Sequence, residues 1–247
     1  MRLVLPPAFR GVRVIGDVHG EAAPLRAALD GAAAAGLFAV QLGDLTDHGP
    51  DSPSALAAMF AAIDRGAGLF LLGNHDHKLR RALLGNQVTL DAEGLGETLA
   101  QLAAHPDGAA LSARAIAEIA VAPAWVAWGR TRLFVHGGFH PAMLTAPPPA
   151  DAATRRAEGA VARALYGQTV RGAVTASGYP VRVLDWVDAI PPGLAVYCGH
   201  DIRTTDGRPH ERRGRGGGKA VFMDTGAGKG GHLSWCDLVP ETEAGDR

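Results

Sequence analysis

A chain of 247 residues with 47% apolar side chains is long enough to build one large α/β domain around a sizeable core. A formal net charge of −1 excludes a globally basic surface, so any recognition of a polyanion has to be local. Cys198 and Cys236 make no disulfide framework, no apolar run reaches the length of a membrane helix, and residues 1–7 are too short and proline-broken for a signal peptide, so a cytoplasmic protein with no membrane partner is expected.

Residues 12–15 read as a first strand ending at Gly16. Residues 21–35 follow as a helix with Gly36 as its C-cap. A second strand spans 38–42. A helix over 52–65 is opened by Asp51 or Ser52, with Pro53 in its first turn. Residues 69–72 form a third strand. This alternation predicts a largely parallel sheet buried by helices, with ligands beyond the carboxyl ends of its strands. Helices over 78–84, 94–104 and 113–120 read as a cap inserted at about 77–124, after which strand 132–135 resumes the sheet. Residues 151–166 read as a helix, and 194–198, 220–223 and 232–238 as late strands of a second sheet. The Gly- and Arg-rich stretch 208–219 reads as a mobile loop whose Arg208, Arg212, Arg213, Arg215 and Lys219 are solvated or track a nucleic-acid backbone. The whole chain, 1–247, is expected to be one domain.

Three short motifs sit just past the first three strands: Gly16-Asp17-Val18-His19-Gly20, Gly43-Asp44-Leu45-Thr46-Asp47 and Gly73-Asn74-His75-Asp76. Two single histidines complete the set, His136 after residues 133–135 and His200 after 196–199. One Gly-Asp turn alone says little, since both residues are common in turns. Three in order, followed by two strand-end histidines, point to a metal site. Asp17 and His19, two apart on an extended segment, share one face and suit one metal. Asp44 at the next strand end can bridge two, and Asn74, His136 and His200 complete the second. Mixed oxygen and imidazole ligands favour two divalent ions of the Mn, Fe, Zn, Co or Ni type, manganese first. With Asp17 and Asp44 as the anionic ligands the centre stays positive, which suits a phosphate dianion. His75, next to Asn74 in an extended loop, faces the substrate and can protonate the leaving group, a contribution of about 10²–10⁴-fold. Asp47 is placed to orient that imidazole. His105, His140, His210 and His232 lack such a context, His77 reads as a helix start, and Cys198 as a small buried apolar residue.

With these residues the chain resembles the calcineurin-like metallophosphoesterase superfamily, in its branch of Ser/Thr protein phosphatases and bacterial diadenosine tetraphosphatases. The signature stretches are 16–20, 43–49, 73–76, His136-Gly137-Gly138 and Gly199-His200. The resemblance implies a four-layer αββα sandwich with a small helical cap. It also implies a dinuclear centre with the ligands named above and direct attack by a metal-bridging hydroxide, with no phospho-enzyme. Looser stretches resemble the phosphatase module of bacterial polynucleotide kinase-phosphatase: residues 78–83 and 164–167, Tyr179-Pro180-Val181-Arg182 and Asp224-Thr225-Gly226. They imply Asp224 as a second-sphere partner of a metal ligand and Arg182 as a phosphate contact. No Walker-type phosphate loop is present, so no kinase partner is expected in cis.

The family places an arginine after the aspartate of the second motif, where this chain has His48. A mostly neutral imidazole without a guanidinium fork predicts weaker phosphomonoester binding at alkaline pH, with His48, Arg155, Arg156 or Arg182 at the phosphate instead. The reading is a metal-dependent phosphatase acting on phosphomonoesters, and on cyclic or activated diesters. Its partner is a phosphorylated nucleotide, nucleic-acid end or phosphoprotein. The alternatives are a Ser/Thr protein phosphatase, a bis(5′-nucleosyl)-tetraphosphatase with Trp125, Trp128 or Trp186 stacking a base, and a metal-containing binding module of weak turnover.

Overall fold

The computed structural model describes residues 1–176 and 180–241. Tyr179, in one of the looser family stretches, lies outside them. The first sheet contains β1 (Gly11–Ile15), β2 (Leu37–Gln41) and β3 (Gly68–Phe70), parallel to one another, and β11 (Trp235–Leu238), antiparallel on the outer edge of β1. The second contains β4 (Trp125–Trp128), β5 (Arg132–Val135), β8 (Ala195–Cys198), β10 (Lys219–Phe222) and β9 (His210–Arg213), in that order, with β5, β8 and β10 parallel. A separate hairpin pairs β6 (Gln168–Val174) with β7 (Pro180–Val183).

The period-2 alternation of each strand shows how the sheets stack. Val12, Val14, Phe38 and Val40 of the first sheet pack in one cluster with Val126, Phe134, Tyr197 and Val221 of the second. The intervening Ile15, Ala39, Leu133, Val135, Val196, Cys198, Ala220 and Phe222 join the cluster formed with the helices. Both sheets are thus covered on two faces, which is why parallel strands here read as nearly continuous apolar runs. Helices α1 (Ala22–Ala34) and α2 (Ser52–Asp64) lie over the first sheet. Asp51 caps α2 by accepting from Ser54 N–H at 3.0 Å, and Gly36, just past α1, has the left-handed φ of 62° expected of it. The mixed α/β class is as expected.

Several expected elements fall differently. Strand 132–135 begins no continuation of the first sheet but lies in the second, beside β8. The last strand, 235–238, belongs to the first sheet, with Cys236 and Leu238 packed on the inter-sheet cluster. Alternation shows that a strand has an apolar face but not which sheet it joins. The helix expected over 151–166 is confined to α6 (Gly159–Tyr166), because Gly159 takes φ of 55° and residues 149–155 make tight turns. Part of the 208–219 loop is the exposed, charged edge strand β9, a composition that discourages edge-to-edge pairing. The third motif is helical: α3 (Asn74–Leu83) starts at Asn74, with Gly73 as its N-cap.

The chain between β3 and β4 forms α3, a distorted turn at Ala92–Gly96, α4 (Glu97–Ala104) and α5 (Gly108–Val121); α5 packs on α3 and α4, the turn touches α3 and α4, and α4 and α5 rest on α2. Trp125, Trp128 and Trp186 are buried at 3%, 7% and 3% exposure, so none offers a face for stacking a base. No helix among the described residues is long and apolar enough to cross a membrane.

Candidate metal centre

Six strands end at one place. Asp17, Asp44 and Asn74 follow β1, β2 and β3, while His136, His200 and Asp224 follow β5, β8 and β10. Asp44 is the hub. Its Oδ2 lies 3.4 Å from His136 Nε2, 3.8 Å from His19 Nε2 and 3.9 Å from His75 Nε2, and its Oδ1 accepts from His75 N–H at 3.0 Å. Asn74 Oδ1 is 3.0 Å from His136 Nε2. Asp17, His19 and Asp44 offer ligand atoms within 4.8 Å of one another, as do Asp44, His136 and His200.

Backbone carbonyls aim the imidazoles. His19 Nδ1 meets Thr46 O at 3.0 Å and His136 Nδ1 meets Leu42 O at 3.0 Å, so each ring turns Nε2 toward the cluster. The non-glycine residues with left-handed φ among those described are His19, Asp44, Asp47, His48 and His200, every one a predicted site residue. Each such conformation costs on the order of 1–3 kcal/mol, and strain gathered at one spot marks a functional constraint. His19 therefore shares a face with Asp17 through a tight turn, with Val18 and His19 N–H both donating to Asp44 O, rather than through an extended segment. Close approach explains two glycines: a Cβ at Gly199 would overlap Asp17 Oδ1, and one at Gly73 would overlap Asp44 Oδ1.

Charge is managed as a cation site requires. Burial and then Asp224 push the Asp17 carboxyl well above its usual range. Burial opposes ionisation of Asp44, but His136, His75 and His19 hold it well below that range. Burial lowers His19 and His200 strongly, keeping both imidazoles neutral, whereas Asp44 overcomes burial to hold His136 up at about 9. Asp17 Oδ1, His200 Nε2 and Asp224 Oδ2 are buried without a hydrogen-bond partner, and the ammonium of Lys229 stands 2.9 Å from His19 Nε2. Orphaned acceptors and a cation drawn among them fit a divalent metal, for which imidazole and carboxylate are ordinary ligands.

Around this core, Asp47 Oδ2 meets His75 Nδ1 at 2.5 Å while Asp47 Oδ1 accepts from Thr98 Oγ1 at 2.7 Å. His75 is in the first turn of α3, not in an extended loop, so the helix rather than strand alternation separates its side chain from that of Asn74. Arg182 donates to His200 O at 3.1 Å and to Asp201 at 3.2 Å, and with Asn74, His75 and Lys229 it lines a cleft of about 310 Å³. Half-buried His48 packs edge-on against His19 and His75. Asp224 accepts from Gly226 N–H at 3.0 Å and acts on Asp17 through its charge. Arg155 and Arg156 do not line this cleft; they border a neighbouring one.

Sequence reasoning assigned no role to Asp76, although it closes the third motif. Its carboxylate accepts from Asp44 N–H at 2.7 Å, Gly73 N–H at 3.0 Å and Leu45 N–H at 3.1 Å, clamping the second motif to the third. Asp76→Ala is expected to destabilise the protein by roughly 3 kcal/mol in a denaturant titration, since three buried donors lose their acceptor. An unfolding midpoint equal to the parent's would contradict that clamp. Thr98 and Lys229 carry no sequence signal, being 51 residues from Asp47 and 210 from His19 respectively.

The calcineurin-like phosphoesterase family matches residues 12–158. A protein of Geobacillus thermodenitrificans named bis(5′-nucleosyl)-tetraphosphatase PrpE [asymmetrical] is 30% identical over 196 residues, 78% of this chain and 72% of the relative. A Bacillus subtilis protein of the same name is 42% identical over 67 residues, 27% of each chain. Among solved structures, a putative diadenosine tetraphosphatase aligns with TM-score 0.55 at 21% identity over 96% of both chains. A protein serine/threonine phosphatase from Saccharomyces cerevisiae aligns with TM-score 0.56 at 15% identity, over 97% of this chain and 82% of that one. At those identities the structural likeness speaks for the fold alone. The family match over more than half the chain and the ligand-type side chains gathered around Asp44 agree: the chain belongs to the calcineurin-like phosphoesterases, metal-dependent hydrolases of phosphoester bonds.

Proposed function

We propose that the protein hydrolyses terminal phosphate monoesters of nucleotide-type substrates with two divalent ions, manganese in the first place, held by Asp17, His19, Asp44, Asn74, His136 and His200. The observation that carries this reading is the convergence of the His19, His136 and His75 Nε2 atoms on Asp44 Oδ2, the last of these rings paired with Asp47. Divalent ions bound there supply Lewis-acid polarisation of the phosphoryl group and lower the pKa of water.

The chain's own groups do the rest. Arg182, steadied by Asp201 and the His200 carbonyl, presents its remaining N–H groups to a phosphoryl oxygen. Lys229 supplies a second cation at the cleft, in place of the guanidinium that the family has where this chain has His48. Burial, Lys229 and His75 lower the pKa of His48, so it adds little charge at neutral pH. His75 turns Nε2 toward the cleft while Asp47 accepts from Nδ1–H, and in the imidazolium form, which Asp44 and Asp47 favour against burial, Nε2 carries the proton for the departing oxygen. The names of the curated relatives favour a second reading, cleavage of a dinucleoside polyphosphate.

Phosphate release from p-nitrophenyl phosphate, measured on metal-free protein and after addition of Mn²⁺, tests the activity. Stimulation by the metal is expected. No turnover with Mn²⁺, Fe²⁺, Zn²⁺, Co²⁺ or Ni²⁺ would leave the binding-module reading.

A further inference from the structure

Beside the cleft that holds Asp44 lies a second, larger one of about 450 Å³. It is bordered by His77, Arg80, Arg81, Arg155, Arg156 and Tyr166. Two elements meet there. Arg80 and Arg81 come from α3, the helix whose first turn carries Asn74 and His75. Arg155 and Arg156 come from the turn before α6, and the His77 ring of α3 lies near the Arg155 backbone.

The guanidinium groups are only loosely neutralised. The nearest carboxylates are Asp151, 3.8 Å from Arg155, and Glu158, 3.7 Å from Arg156, both beyond hydrogen-bond distance. Arg80 and Arg81 each give one N–H to a backbone carbonyl, of Ile116 and Gln87, at 3.2 Å. Four positive charges against two carboxylates leave two in excess, on side chains whose forked donors match phosphate.

The cleft also has a direction. Asn74, His77 and Arg81 are spaced i, i+3, i+7 and so form one stripe of α3, with Arg81 about 10 Å along the axis from Asn74. Tyr166 borders the arginine cleft and lies within electrostatic reach of both Arg81 and Asp44. A chain of phosphates with its end at Asp44 would run down this stripe into the arginines.

We infer that Arg80, Arg81, Arg155 and Arg156 form a polyphosphate subsite, which takes the phosphates of a nucleoside polyphosphate that are not being hydrolysed. This rests on the metal-dependent hydrolase reading of the neighbouring cleft and extends it from a monoester to a terminal phosphoanhydride: water adds to the end phosphorus, the P–O bond to the next phosphate breaks, and the shortened polyphosphate leaves along the arginines. A substrate with one phosphate engages the metal-side cleft alone; one with three or four engages both.

The test is a calorimetric titration of the manganese-loaded protein, at fixed free Mn²⁺, with tripolyphosphate and separately with inorganic phosphate. Arg81→Gln/Arg155→Gln is expected to lower the ratio of tripolyphosphate to phosphate affinity about tenfold or more, with Arg81→Lys/Arg155→Lys recovering part of it. The kcat/KM ratio for adenosine tetraphosphate over p-nitrophenyl phosphate should fall with it. An unchanged affinity ratio in the glutamine variant would overturn the subsite. So would a variant that weakens binding of a 3′-phosphorylated RNA dinucleotide but not of tripolyphosphate. Failure of the hydrolase reading is separate: the wild-type protein would then leave p-nitrophenyl phosphate intact, while calorimetry would still decide the subsite.

Discussion

Asp44→Asn is expected to reduce phosphate release by about 10³-fold or more while leaving the fold intact. Asparagine keeps the shape and an oxygen able to accept the His75 N–H, and the clamp from Asp76 to the Asp44 backbone does not involve the side chain. What disappears is the one negative charge that faces His19, His75 and His136 together. Metal content by elemental analysis should fall with activity. A second readout follows from His136. Its pKa in the folded, metal-free protein is about 9, above the ordinary 6.5, because Asp44 outweighs burial. A raised folded value means stability that is fully present below pH 6.5 and lost as pH rises toward 9. In metal-free Asp44→Asn that dependence should flatten, since the anion responsible is gone. A variant that binds metal and turns over like the parent would remove the basis for the centre.

Legibility varied with distance along the chain. Asp17, Asp44, Asn74, His136 and His200 each follow a strand by at most four residues, so the local pattern of apolar run, glycine and polar side chain already places them at a sheet's carboxyl edge. The pairing of His75 with Asp47 was legible for a related reason: both belong to motifs that end on neighbouring parallel strands, β2 and β3. The helical start at Asn74 was less visible, because its cap is Gly73, a residue equally at home in a turn. Thr98, which holds Asp47, and Lys229, which stands by His19, come from distant segments with no motif of their own. Sheet membership was hidden too. Cys236 and Leu238 alternate with polar neighbours whichever sheet they join, and only the antiparallel register with Val12 and Val14 decides it. The arginines of the second cleft are ordinary surface residues in sequence, and acquire meaning only because α3 and the turn before α6 face one another.

His75→Ala is expected to slow hydrolysis of an alkyl phosphate by about 10²–10⁴-fold and that of p-nitrophenyl phosphate far less. The difference lies in the leaving group: an alkoxide needs a proton as it departs, and p-nitrophenolate does not. The pH profile carries the same information. Burial alone would lower the His75 pKa, but Asp44 and the hydrogen bond to Asp47 outweigh it and raise the imidazole above its ordinary 6.5. With His75 as the proposed acid, turnover of the alkyl ester should fall as pH climbs through that raised value. Asp47→Asn removes one of the two supports while keeping a single amide oxygen for Nδ1–H, its NH2 then facing the Thr98 hydroxyl. Its alkaline limb should therefore move to lower pH, with a smaller loss at acidic pH than at alkaline pH. Metal content is expected to stay at the wild-type level, since Asp47 faces Thr98 and His75 rather than the side chains proposed to hold the metals. Equal losses on both esters in His75→Ala, or an alkaline limb unmoved in Asp47→Asn, would assign the leaving-group proton to another donor.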